Sequence, residues 1–479
     1  MAVFYREGEI KKRPGIYQRH ENTEFDNAVS ARDGICAVPV RASWGPLGVV
    51  VANGNRAALK KNYGDGPYAP GFTVPCAKEM FAGGATTVYT YRLGTGGKAA
   101  TLELTGGIVA TAKYPGTASI TLAVQTKLAD PSKKECLVYF GTSLVESIDF
   151  KAEGTGEGAA LIAAVNDASS YVTLAVKEGG TAPETVAALD VAAGKLAGGE
   201  DPTVTNDDYS KALDAFEPFY YNTIALDVDD DDAMALSHML HAYIQNAYEL
   251  GKLAIGVVGE KSNVDFDDRL KHSADFNDNK IVYVGNGYKA GDTVKEGALA
   301  ICRTAGVIAA TPSSQGITHA VIDEATDLCE ALTYAQYEAA IDSGMLLFSM
   351  SPNGDIWYDS GINTLVAPDA ATQDPGWKKI RRTKVRFEII DRLDRVLGPK
   401  VGRISNDSDG IADVIQTGQR VLDAMAGTEG KLYAGATFEQ NTEVTEEGGD
   451  SAYFVITADD IDSLEKIYML YHFRYSQTA

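Results

Sequence analysis

The chain has 479 residues and little with which to do chemistry. Its five cysteines, Cys36, Cys76, Cys136, Cys302 and Cys329, are scattered, odd in number and without a C-x-x-C pair. That excludes a zinc knuckle or dithiol couple by spacing and predicts buried free thiols in a reducing compartment. Histidine is scarce, at six residues (His20, His238, His241, His272, His319 and His472). The opening "MAVFYREGEIKKRPG" lacks the apolar core of a secretory signal, and no apolar run approaches the length of a membrane span. Cations are also short: 43 Lys and Arg against 66 Asp and Glu give a net charge of -23. Such a chain repels phosphate, so neither nucleic-acid binding nor membrane insertion is expected, and folding in a cytoplasm is.

Catalytic motifs are missing in the same way. "GTGGKA" at 94–99 resembles a phosphate loop, but Arg92 stands where its first glycine belongs and Ala99 where a magnesium-binding hydroxyl belongs. His238 and His241 in "HMLH" lie one helical turn apart, as two metal ligands would, with no third ligand placed by sequence. "DVDDDD" at 227–232 has acids for a cation but neither EF-hand spacing nor a glycine at the bend; capping of the following helix explains it more simply. No G-x-S-x-G occurs, and no local motif supports a Ser-His-Asp set. The expectation is a protein that is not an enzyme, with no catalytic, cofactor-binding or metal-binding residue and no cofactor.

What is present is 45% hydrophobic and 23% charged residues, an ordinary globular composition long enough for two to four domains. About twenty residues at the start are short, basic and broken by "RPG". From about Tyr91 to Asp208, stretches such as "TASITLAVQT", "CLVYF" and "YVTLAV" alternate with Gly-, Thr- and Ser-rich turns, which predicts a β-rich domain with one short helix at "LIAAVN". Next, "YNTIALDV", a helix "DDDDAMALSHMLHAYIQNAYELG", "LAIGVVG", "KIVYVGNG", a helix around "VKEGALAICRTAGVIAA" and "MLLFSMS" alternate as strand and helix, the pattern of a parallel sheet. The earlier "GICAVPVRASWGP" and "TTVYTYRL" also read as strands; in that same sheet they would make the β-rich region an insertion. Two amphipathic helices follow, one with Ile380, Phe387, Ile390, Leu393 and Leu397 at helical spacing and stopped at Gly398-Pro399, the other carrying Ile411 to Met425. Strands at "KLYAGATF", "SAYFVIT" and the closing "EKIYMLYHFRYSQTA" complete an α+β region. There is no internal repeat.

Two features point to assembly. Between Gly376 and Arg403, ten Lys and Arg face three acids. The first half, "KKIRRTKVR", contains no acid of its own. Such a patch reads either as a solvated helix with internal pairs or as a dock for an acidic surface. The closing stretch is aromatic and β-prone, and an apolar strand at a chain end must be paired. For Ile467 to Leu470 a hairpin with "SAYFVIT" is expected. From Tyr471 onward the strand outruns a usual partner, and donation to a neighbour's sheet edge is expected.

Read in order, "KKRPGIY", "GICAVPVRASWGPLG", "SGINTL", "KKIRRTKVRFEIIDRL", "GRISND" and "SLEKIYMLYHF" resemble the tail sheath proteins of contractile phage tails and phage-tail-like bacteriocins of Gram-positive bacteria. The resemblance implies an α/β and α+β multidomain chain with a subtilisin-like core lacking catalytic residues. Its parts would be an N-terminal arm (1–20), a core (21–94 and 209–374), an inserted β-sandwich (95–208), an α+β C-terminal domain (375–470) and a C-terminal arm (471–479). It implies stacked hexameric rings around an inner tail tube, contracting to drive the tube through a cell envelope. Implied partners are copies of the chain, the tube, the baseplate and the tail terminator, in a tail assembled in the host cytoplasm. Pro14, Gly15, Ile16, Tyr17, Tyr471, Phe473, Arg474 and Tyr475 would lie in exchanged arms, and Lys378, Lys379, Arg381, Arg382 and Arg386 on a tube-facing helix. A cell-surface or carbohydrate-binding module predicts instead a monomer indifferent to trimmed ends. A hydrolase of subtilisin-like fold needs a nucleophile beside a base.

Overall fold

The computed structural model describes residues 30–152, 154–228, 233–443 and 449–474, together with the backbone of 3–4 and 17–18. The chain divides into two compact units, Met1–Ala31 with Glu388–Ile461, and Arg32–Phe387 with Asp462–Ala479.

The larger unit is organised by a seven-stranded sheet. From one edge its strands are Val50–Asn53, Thr87–Arg92, Ile35–Val40, Thr223–Ala225, Ile255–Gly259, Ile281–Val284 and Met345–Leu346. All neighbours run parallel except the Val50–Asn53 edge strand. Parallel sheets are covered on both faces, so "ICAVPV", "IGVVG" and "IVYV" are apolar almost throughout. Alternation still sorts the side chains. Cys36, Val38 and Val40 enter the core that also holds Met80, Ile301 and Ile308, whereas Ala37 enters the one built with Phe216, Leu236 and Leu240. Pro39 is tolerated inside a central strand because Thr223–Ala225 pairs only as far as Ala37 on that side. Cys36, Cys76, Cys136 and Cys302 are buried and free, Cys329 is free and half-buried, and burial pushes the Cys36 thiol up to about 12.

The strands read at "GICAVPV" and "TTVYTYRL" do join the sheet of "YNTIALDV", and the chain between them is an insertion. It holds two three-stranded antiparallel sheets around one core with Leu122, Val138, Leu161 and Val172. The helix expected at "LIAAVN" runs Glu157–Ala168. Thr95 and Thr203 bridge where the insertion leaves and rejoins the core. The helix after "DVDDDD" spans Ala233–Glu249, and Gly251 follows at φ +78°; Asp229–Asp232 and the capping expected of them lie outside the described residues.

In the smaller unit Ser408–Ala426 is helical, its first turn capped by Asp407 accepting from Gly410 N at 2.9 Å. Phe438 packs against Gly418 of this helix. The sheet is two-stranded, Thr437–Gln440 antiparallel to Phe454–Thr457. Here an expectation fails. "SAYFVIT" pairs with the strand before it, and Asp462–Arg474 has no regular secondary structure, so no hairpin forms with Ile467–Leu470. The aromatic residues supply extended propensity, but propensity makes no strand without a ladder to join.

Candidate functional site

The basic stretch begins in a 3-10 turn, Pro375–Lys378, with Asp374 accepting from Gly376 N at 2.6 Å. The helix Ile380–Leu397 follows, burying Ile380, Val385 and Phe387. Its cations turn into the chain. Lys378 donates to Val366 O at 2.7 Å. Lys379 Nζ pairs with Asp462 Oδ2 at 2.9 Å and Glu465 Oε2 at 2.7 Å. Arg381, 8% exposed, donates to Ser313 O at 3.4 Å and to Ser463 Oγ at 3.1 Å. Arg382 lies half-buried against Gly376, where a Cβ would meet its guanidinium at 2.1 Å. Lys384 donates to Ile308 O at 2.6 Å and to Thr311 O, neutralising the carbonyl end of the helix Ala298–Ala310. Arg386 pairs with Asp374 at 2.8 Å and lies 4.4 Å from the Trp377 ring centroid. Of the two readings left open, internal pairing is the arrangement found: the first half reaches carbonyls and acids outside helical spacing, while in the second half Arg392 pairs with Glu388 and Arg395 with Asp391, the latter at 2.9 Å, four residues apart as expected of internal pairs.

The end of the chain behaves oppositely. Glu465 accepts from Lys379 and, at 3.0 Å, from Thr318 Oγ1. From Lys466 to Arg474 every residue is exposed, Tyr468 at 90% and Phe473 at 94%. Among the described residues, Tyr471 and Phe473 meet no aromatic ring but each other's, with centroids 6.1 Å apart. So Tyr471, Phe473 and Arg474 sit on an exposed segment without regular secondary structure; Tyr475 lies outside the described residues. Pro14, Gly15 and Ile16 also lie outside them, and Tyr17 is known by its backbone, where Tyr17–Gln18 pairs in parallel with Val3–Phe4.

In the smaller unit the two-stranded sheet leaves both outer edges without a partner strand among the described residues. Val455 and Ile456 are exposed, and a 200 Å³ hollow lined by Val401, Ile404, Ile411, Val414 and Phe454 lies beside the strand. Apolar strand edges of this kind invite pairing.

The candidate chemical motifs have structural duties. Arg92 is fully buried and donates to the carbonyls of Ala42, Gly45 and Pro115, each at 2.8 Å, while "GTGGKA" runs through the bridges of Thr95 and Lys98. His241 bonds Asp278 at 3.0 Å and His238 stacks on Phe276. Burial works to raise the Asp278 carboxyl, but bonds from His241 and Lys280 outweigh it and hold the group at about 2. Asp227 is buried beside Arg41 and Thr73, and burial pushes its carboxyl up. No group of three or more metal-ligating side chains occurs among the described residues, and no described helix is long and apolar enough to cross a membrane. Sequence reasoning missed Thr318, Ser463 and Glu465; the only signal was an acid cluster, Asp459, Asp460 and Asp462, just before the aromatic stretch.

Residues 203–364 match the family described as phage tail sheath protein central domain, and residues 95–201 the phage tail sheath protein beta-sandwich domain. The phage-like element PBSX protein XkdK of Bacillus subtilis is 26% identical over 398 residues, covering 81% of this chain and 80% of the relative. The sheath tail protein Lin1278 from Listeria innocua shares the fold with a TM-score of 0.68 at 23% identity, covering 90% of this chain and 96% of that one. The helical sheath of the anti-feeding prophage in its contracted state aligns over 97% of this chain and 99% of that one, with a TM-score of 0.53 at 10% identity.

Proposed function

Because this chain belongs to the phage tail sheath protein family, we propose that it is the structural subunit of a contractile tail sheath, polymerising as stacked hexameric rings around an inner tail tube. Shortening of that lattice drives the tube through a cell envelope. The observation that carries the reading is the exposed aromatic end, Lys466–Arg474, on a chain that also presents two open strand edges at Thr437–Gln440 and Phe454–Thr457. Each backbone hydrogen bond formed by adding a strand is worth about 1 kcal/mol net, multiplied over many subunits. The chain therefore works without a fuel, cofactor or catalytic residue, as a structural protein and not an enzyme.

In this reading the core is of the subtilisin-like kind, supported by its parallel sheet with helices on both faces. The N-terminal arm includes Pro14, Gly15, Ile16 and Tyr17, and the C-terminal arm Tyr471, Phe473, Arg474 and Tyr475. The helix beginning at Ile380 faces the tube, with Lys378, Lys379, Arg381, Arg382 and Arg386 meeting it as cations already paired or bonded within the chain. The sheath joins the baseplate at one end and a tail terminator at the other, in a virion or phage-tail-like particle assembled in the host cytoplasm.

Deleting 1–19 or 472–479 is expected to leave a folded monomer that makes no tubes. Electron microscopy of the purified variants decides, and abundant normal tubes from both deletions overturn arm exchange.

A further inference from the structure

The boundary between held and free chain at the C-terminus is sharp, and basic residues near the start of the Ile380–Leu397 helix define it. Within four residues, three side chains of the terminal segment are bound by three different groups of the same unit. Asp462 and Glu465 share Lys379 Nζ at 2.9 and 2.7 Å, Ser463 Oγ accepts from Arg381 at 3.1 Å, and the second Glu465 oxygen accepts from Thr318 Oγ1 at 3.0 Å. Leu464, between them, is 82% exposed.

The groups doing the holding are themselves fixed. Thr318 Oγ1 accepts from Gly361 N at 2.9 Å, Lys379 N donates to Gly376 O at 3.1 Å, and Ile380 N donates to Gly361 O at 3.1 Å. Gly316 leaves room for the segment, since a Cβ there would stand 2.9 Å from Ser463 Oγ. Burial acts to depress the Lys379 ammonium, yet its bonds to Glu465 and Asp462 outweigh that and leave it raised. From Lys466 on, the described residues are all exposed, and the contacts among them are local, such as Tyr471 OH to Met469 Sδ at 3.4 Å.

We propose that Lys379, aided by Arg381 and Thr318, is a positioning residue for the C-terminal arm: it pins the arm's root to the core, so that the arm swings beyond Glu465. This rests on the reading of that segment as a connector between subunits. Nine residues from Lys466 to Arg474, fully extended, reach roughly 30 Å, enough to cross to a neighbouring subunit while the root stays put. Pinning fixes the direction in which the strand is offered and cuts the ordering cost of its capture. It also gives Lys379 and Arg381 a duty other than meeting the tube.

Limited trypsinolysis of the full-length purified monomer tests this, read by intact mass. Cutting after Lys466 requires residues on both sides of it to enter the protease extended, so a pinned root slows it; cutting after Arg474 serves as an internal reference. Lys379→Ala is expected to speed cleavage at Lys466 roughly tenfold relative to Arg474, because local release then precedes cutting. Asp462→Asn, which removes one of the two carboxylates on Lys379 and lies clear of the cleaved bond, is expected to act in the same direction but less, and Lys379→Arg, which keeps the charge, to retain much of the protection. Unchanged relative cleavage in both Lys379→Ala and Asp462→Asn overturns the pin. Tube formation by the 472–479 deletion is scored separately by electron microscopy, so a failed pin and a failed sheath reading give different results.

Discussion

Arg392 meets Glu429 with both prongs of its guanidinium, Nη1 to Oε1 and Nη2 to Oε2, each at 2.6 Å. Arg392 is 2% exposed, and Glu388 and Lys431 close the network, with Lys431 Nζ 2.7 Å from Glu388 and 2.6 Å from Glu429. Two buried cations here share two carboxylates. Glu429→Gln leaves positive charge in excess, and removing one partner of a buried network costs more than the pair contributes. The smaller unit is expected to lose about 2 kcal/mol, less than the fullest cases because Glu388 remains. Chemical denaturation followed by a probe in that unit measures it; a change under 0.5 kcal/mol would show the network to be dispensable.

Gly116 lies at φ +146°, and a Cβ there would stand 1.9 Å from the carbonyl oxygen of Ser43 and 3.1 Å from Arg92 Nη2. Next to it, Pro115 O accepts from Arg92, which also holds Ala42 and Gly45. Gly116→Ala therefore forces apart the contact between insertion and core and disturbs three bonds of a buried cation. A loss of about 3 kcal/mol or more is expected, seen as a lowered denaturation midpoint of the larger unit.

Asp278 supplies a pH dependence. Its folded pKa, about 2, lies below the ordinary aspartate value of 3.8, so the native state binds the proton less readily than the unfolded chain does. Its stabilisation is fully present above pH 4 and is lost as pH falls towards 2, by on the order of 2 kcal/mol. Asp278→Asn removes that contribution. The stability gap between wild type and variant should therefore be widest above pH 4 and close towards pH 2, as read from urea titrations at each pH. A gap constant across that range would contradict the assignment.

The α/β core was legible because strands buried on both faces have no polar residue to interrupt them; "IGVVG" and "IVYV" are recognisable without knowing their neighbours. The insertion was legible because its turn-rich texture differs from the strands either side of it. The destination of the basic helix was not. Spacing senses partners three or four residues away, whereas Lys379 finds Glu465 at a separation of 86 residues and Arg381 finds Ser463 at 82. The closing aromatics misled in a related way. Tyr468, Tyr471 and Phe473 declare an extended backbone, but only the fold decides whether an edge lies within reach, and none of the chain's own strands pairs with them among the described residues.

Thr95 and Thr203 exchange backbone hydrogen bonds at 3.0 and 3.1 Å where the insertion meets the core. The whole β-sandwich is thus spliced in through a narrow neck whose two sides already touch. A short loop joining Gly94 to Val204 spans that neck without parting any strand of the seven-stranded sheet; what such a deletion gives up is the Pro115 carbonyl that Arg92 binds and the cover over Trp44, so the module is separable by chain connection and tied down by contact.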